Sequence, residues 1–105
     1  MQGAGIMKSY KELTVYQKAY ELSLRVYKIT EKFPAVDKFG LISQMRRAAV
    51  SIPCNIAEGY RRRSRKEYIQ FLHIALGSCS ELETLISLSK DLKIIAYRNY
   101  YDLQL

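Results

Sequence analysis

Apolar residues recur along most of this chain at alternating spacings of three and four, the period of a helix that packs along one seam. In the first segment Val15, Ala19, Leu22, Val26, Ile29 and Phe33 keep this rhythm and predict a helix over 12–33. A second apolar line, Leu13, Tyr16, Tyr20, Leu24 and Tyr27, lies beside the first. Two lines on one helix are more than a single neighbour covers. They imply either a wide core stripe or a surface that meets another subunit, where tyrosine tolerates partial wetting. "FPAVDKFG" then breaks the pattern. Pro34 disfavours helical geometry at Phe33, and Asp37 is placed to cap the next helix.

The second helix is expected over 38–60, with Ile42, Met45, Ala49, Ile52, Ile56 and Gly59 as its seam. Pro53 falls inside it. It has no N–H for the Ala49 carbonyl and its ring crowds that turn. The seam keeps its register on both sides, so the pattern predicts a kink near 49–53, not a stop. The third helix starts at Ser64, where "SRKE" reads as a capping box. It continues through Tyr68, Leu72, Ala75, Cys79, Leu82 and Ile86 to about residue 90–93. A fourth segment from Ile94, with Tyr97, Tyr100, Tyr101, Leu103 and Leu105, is helical in pattern but short. The fold class expected is all-α: an antiparallel up-down four-helix bundle with a kinked second helix and a short fourth. Residues 1–11 are expected to be a flexible leader and 12–105 the bundle domain.

Composition agrees with helices. Among 105 residues there are five glycines and two prolines, too little punctuation for many short strands. Half the residues are apolar, which argues for a packed core. Cys54 and Cys79 stand 25 positions apart among apolar neighbours. With no secretory pattern, they imply a reducing cytoplasmic setting and no disulfide framework. No apolar run approaches the length of a membrane span.

The net charge of +7 is concentrated. Between Arg46 and Lys66 lie seven basic residues, Arg46, Arg47, Arg61, Arg62, Arg63, Arg65 and Lys66, and a single acid, Glu58. That window supplies six of the seven net charges. A local patch of this kind suits a polyanion, while a solvated charged turn explains the same residues equally well. These seven are the candidate nucleic-acid-binding residues. A polar stripe, Gln44, Arg47, Ser51, Asn55, Glu58 and Arg62, runs along one flank of the second helix. Glu58 precedes Arg62 by four residues, the favourable orientation for an ion pair. Ser51 and Asn55 can serve backbone groups loosened by Pro53, so the stripe is either a packing network or a functional face. On the third helix His73, Gly77, Ser80, Thr84 and Ser87 form a line of mostly small residues, suited to a close helix neighbour or to water.

Enzyme signatures are missing. There is no phosphate-binding glycine loop, no nucleophile elbow and no close cysteine pair. One histidine cannot assemble a histidine metal site within one chain. No catalytic residue, metal or cofactor is therefore expected.

"LTVYQKAYEL", "AAVSIPCNIAEG" and "GSCSELE" together resemble the helical-bundle proteins encoded in intervening sequences of bacterial 23S ribosomal RNA genes. The likeness runs from Leu13 to about Leu92. A looser likeness extends to the accessory variability proteins of diversity-generating retroelements. The resemblance implies an antiparallel four-helix bundle that assembles into a ring, commonly a pentamer, with a nucleic-acid-related role and no activity. The accessory relatives bind reverse transcriptase and nucleic acid through basic surfaces. The family's motif positions fall here on Gln44, Arg46, Arg47, Ser51, Asn55, Glu58, Gly59 and Arg62. Two features depart from it: Asp37 stands where glutamate is usual, and the fourth helix is short. The function expected is thus a non-enzymatic homo-oligomer binding RNA or DNA through the connection between helices two and three. The alternative is a scaffold docking an acidic or polymerase-like protein.

Overall fold

A computed structural model of the chain describes residues 9–95. Among these, all regular structure is helical. A 3-10 turn at Tyr10–Glu12 leads into α1 (Thr14–Thr30). A connection follows, made of a 3-10 turn at Ala35–Asp37 and a π-helical turn at Lys38–Ile42. It feeds α2 (Ser43–Tyr60), and a short basic turn then joins α2 to α3 (Arg65–Asp91). The expected fourth segment, with Tyr97, Tyr100, Tyr101, Leu103 and Leu105, lies outside the described residues, as do residues 1–8.

α2 is the central element, packed against α3 along one flank and against α1 on the other, while α1 and α3 barely meet. Along the α2–α3 interface Gly59 approaches Phe71 and Tyr68, Ser51 reaches Ser78, and Ser89 reaches Met45. The numbering runs in opposite senses, so the two helices are antiparallel. The central position explains burial. All six seam residues expected on α2 are buried, joined by Ala48 and Pro53. On α3, Ala75, Leu82 and Ile86 are buried and Tyr68, Leu72 and Cys79 half-buried. On α1, by contrast, only Ala19, Val26 and Thr30 are buried; Val15 of the expected seam is 54% exposed. Among the described residues α2 is the main helix that α1 packs on, and Val15 lies outside the strip that it covers.

Two expectations at helix ends need correction, while the helix runs through the proline as expected. α1 stops at Thr30, since Lys32 and Phe33 donate to Ile29 and Thr30 in tight three-residue turns that lead into Pro34. Asp37 does not cap α2. Its backbone is drawn into the preceding turn, donating to the Pro34 carbonyl, and its side chain makes no capping bond. Pro53 is carried inside an unbroken α2. The Ala49 carbonyl that it leaves without a helical donor accepts the Ser23 hydroxyl of α1 at 3.0 Å. A neighbouring helix thus satisfies the Ala49 carbonyl, while Asn55 Nδ2 donates to the Ser51 carbonyl, two residues before the proline.

At the start of α3, Ser64 Oγ accepts from the Glu67 amide at 3.1 Å, the first half of the expected capping box. α3 closes with the Ile94 and Lys93 amides returning to the Ser89 and Lys90 carbonyls, a Schellman ending with Lys93 in the left-handed region at φ 60°.

Candidate functional site

The basic turn is built by the close meeting of two helix ends. Gly59 makes this possible: a Cβ there would stand 2.7 Å from Phe71 Cβ and 3.0 Å from Tyr68 Cδ1. The α2 terminus therefore runs directly against the first two turns of α3. Arg61, Arg62, Arg63, Arg65 and Lys66 are left on the outside of the turn, all exposed. Arg65 and Lys66 occupy the first turn of α3, whose free amides already form a positive end. Cations there oppose the helix dipole, so helix stability does not account for them. Glu67 offsets part of this charge.

The seven candidate cations are not equivalent. Arg62 pairs with Glu58 at 2.7 Å, the i, i+4 bridge read from the sequence, and lies over the Phe71 ring at 4.8 Å. Both partners are about half exposed, so the pair adds little to stability. The Arg61 guanidinium stands over the Tyr10 ring at 5.3 Å. Arg46 is bound to α1 near the other end of the molecule. Its Nε donates to Thr30 Oγ1 at 2.8 Å, and the guanidinium covers the Tyr27 ring at 4.5 Å. There it also complements the C-terminal carbonyls of α1. Arg63, Arg65 and Lys66 have no ion-pair or hydrogen-bond partner among the described residues. Arg47 is exposed on α2, away from the turn.

Arg47 borders a second feature. With Gln44 and Ser51 of α2 and Ser78 and Glu81 of α3 it lines a recess of about 440 Å³. In its floor Ser78 Oγ donates to Ser51 Oγ at 2.8 Å. Asn55 Nδ2 donates to the Ser51 carbonyl at 2.7 Å and to Ser51 Oγ at 2.9 Å. The polar stripe is thus split. Ser51 and Asn55 are half-buried, with Ser51 tying α2 to α3 and Asn55 holding Ser51 from within α2, while Gln44, Arg47 and Glu58 are exposed. The residue that answers the stripe from α3 is Ser78. Of the line His73, Gly77, Ser80, Thr84 and Ser87, all but the half-buried Ser87 are exposed, and a Cβ on Gly77 would meet nothing within 4 Å.

A third feature was not visible in the sequence. The turn at Tyr10–Glu12 packs against α2, and a cleft of about 850 Å³ opens between it and the start of α1. Tyr10, Tyr16 and Tyr20 line it, with Lys11, Lys18 and Glu21. The Tyr10 and Tyr16 rings meet edge to face at 5.0 Å, and Tyr16 and Tyr20 stand 6.0 Å apart. Burial, and then the neighbouring Tyr10 and Tyr20 phenols and Cys54, push the Tyr16 phenol above its usual range, so it stays neutral at ordinary pH. Tyr60 and Tyr68, which flank the basic cluster in the sequence, are half-buried and packed edge to face against each other. The periodicity of α1 marked Tyr16 and Tyr20, but no local signal places Tyr10 beside them.

Among the described residues no group of three or more histidine, cysteine, aspartate or glutamate side chains could hold a metal ion. No helix among them is long and apolar enough to cross a membrane. No curated protein matches the sequence as a relative. A family model does match, over residues 11–105, nearly the whole chain and the whole of α1, α2 and α3. This chain belongs to the 23S rRNA-intervening sequence protein family.

Proposed function

We propose that this protein is a non-enzymatic, cytoplasmic, oligomeric helical bundle that binds nucleic acid, RNA or DNA, through the α2–α3 end. The observation that carries the reading is the set of exposed cations on that turn. Arg63, Arg65 and Lys66 are unpartnered among the described residues, Arg61 stands next to them, and two of the four oppose the dipole of the helix they begin. Charges kept against the local electrostatics of the fold suit a polyanion, whose phosphates they neutralise with release of counterions.

The chain completes an antiparallel four-helix bundle in this reading, and several copies assemble. Support comes from the apolar surface that the described helices leave open. Leu24 and Tyr27 on α1 and Ile69 and Leu76 on α3 are each between 42% and 62% exposed. Surfaces of this kind mark contacts with other chains. A cyclic arrangement, such as a pentamer, would repeat the basic turn around one rim.

The test is binding of a labelled mixed-sequence oligonucleotide at several salt concentrations. Four cations predict a slope of log affinity against log salt of about −3 for each protomer engaged. Absence of binding at low salt overturns the reading. The same basic end would then be left for an acidic or polymerase-like protein, in line with the looser likeness to accessory variability proteins.

A further inference from the structure

The tyrosine cleft at the start of α1 adjoins the basic turn. Tyr10 belongs to both: its ring meets Tyr16 inside the cleft and carries the Arg61 guanidinium at 5.3 Å. A ligand on the turn therefore reaches the aromatic surface without a gap. We infer that this cleft stacks unpaired bases, so that the nucleic acid held at the basic turn is single-stranded where it crosses the N-terminal end of α1. The inference rests on the nucleic-acid reading above and names its substrate class.

Three features fit unpaired bases better than other occupants. First, the rings are available. Tyr20 is 52% exposed and Tyr10 half-buried, and the cleft has the volume of an ordinary small-ligand site. Second, the charge is right. Lys11 and Lys18 border the cleft and Arg61 stands at its edge, against Glu21 and the nearby Glu12. The balance is positive, as a backbone of phosphates requires. Third, the Tyr16 phenol at the centre of the cleft is held above its usual range, first by burial, so it presents a hydroxyl and not a charge that would repel phosphate. A duplex hides its base faces in its own stack and can use only the cations. A single strand uses both, and base–aromatic stacking tolerates any sequence. Arg61 has a place in this scheme, since a guanidinium over a tyrosine ring extends the stacking surface with a charged plane.

The experiment compares the full-length parent with two variants, Tyr20→Ala and Tyr10→Ala/Tyr20→Ala, by fluorescence anisotropy. The probes are a labelled mixed-sequence single strand and the same strand annealed to its complement. Tyr16 is left intact because it packs against the core. The parent should prefer the single strand. The double variant should lose about ten-fold or more on the single strand, and Tyr20→Ala about five-fold, while duplex affinity and the salt slope stay within error of the parent. Tyr20→Phe, which keeps the ring, should recover single-strand binding. Circular dichroism checks each fold. Should the double variant fail to fold, Tyr20→Ala alone decides, since its ring is half exposed.

If the alanine variants bind the single strand like the parent, the stacking inference falls while the nucleic-acid reading stands. A fall in oligomer mass with unchanged single-strand affinity also overturns the inference, and assigns the cleft to a second copy of the chain. If the parent binds neither probe, both readings fall together.

Discussion

Replacing Gly59 by alanine probes the contact on which the basic turn depends. The new Cβ would stand 2.7 Å from Phe71 Cβ, 3.0 Å from Tyr68 Cδ1 and 3.3 Å from the Tyr68 carbonyl oxygen. Carbon pairs are best placed about 3.5–4.0 Å apart, so Phe71 must retreat by about 1 Å. Its Cβ is one bond from the α3 backbone and cannot swing aside as a side-chain tip would. The ends of α2 and α3 must part, at an overpacking cost of about 1–3 kcal/mol. Alanine returns about 1 kcal/mol of helix propensity, which masks part of that cost. Gly77 provides the correction. It lies within α3, is exposed, and has nothing within 4 Å of its Cβ position. Gly77→Ala should therefore gain the propensity alone. The difference between the two variants isolates the steric cost, about 1–3 kcal/mol, with Gly59→Ala the less stable. In a chain of this size each kcal/mol moves the melting temperature by about 4–8 °C, so the two melts should lie at least about 4 °C apart. Melts are compared at one protomer concentration, because assembly would shift them. If Gly59→Ala melts together with Gly77→Ala or above it, the close approach of α2 and α3 is refuted.

Three further outcomes follow from the same contacts. Ser23→Ala removes the donor to the Ala49 carbonyl and should cost about 1–2 kcal/mol in urea unfolding, and the cost should shrink in a Pro53→Ala background, where residue 53 supplies its own N–H. Asn55→Ala breaks two hydrogen bonds to Ser51 beneath the polar recess and should lower stability by about 1 kcal/mol, and a change under about 0.5 kcal/mol would make it a surface residue instead. Light scattering at micromolar concentration should give a multiple of the 12.2 kDa chain mass, and the monomer mass would remove the proposed assembly.

What could be read from the sequence was set by distance along the chain. The seams of α2 and α3 follow from a local period, and the Glu58–Arg62 bridge from a four-residue offset, so both are found where expected. The partner of the Ala49 carbonyl is Ser23, on another helix and 26 positions away, and no local rule selects it over Ser51 or Asn55. Val15 fails for a related reason. A three-four rhythm marks apolar positions, but which of them are covered depends on the neighbours the helix has, and among the described residues α1 packs mainly on α2. Arg46 and Arg63 are alike in the sequence, yet one is tied to Thr30 and the other stands free of partners among the described residues. The tyrosine cleft needed the 3-10 turn at Tyr10–Glu12, a placement that periodicity does not encode.

The central claim is that the unpartnered cations of the α2–α3 turn hold phosphate. It is tested most directly by Arg63→Ala/Arg65→Ala/Lys66→Ala. This variant leaves Arg61 on Tyr10 and Arg62 on Glu58, and removes two charges that oppose the α3 dipole, so it should melt no lower than the parent. Its affinity for a mixed-sequence oligonucleotide, followed across about 50–200 mM salt, should fall at every concentration, with the slope of log affinity against log salt flattening from about −3 towards −1. A folded variant that keeps the parent's affinity and slope would contradict the account and leave the cluster a solvated turn.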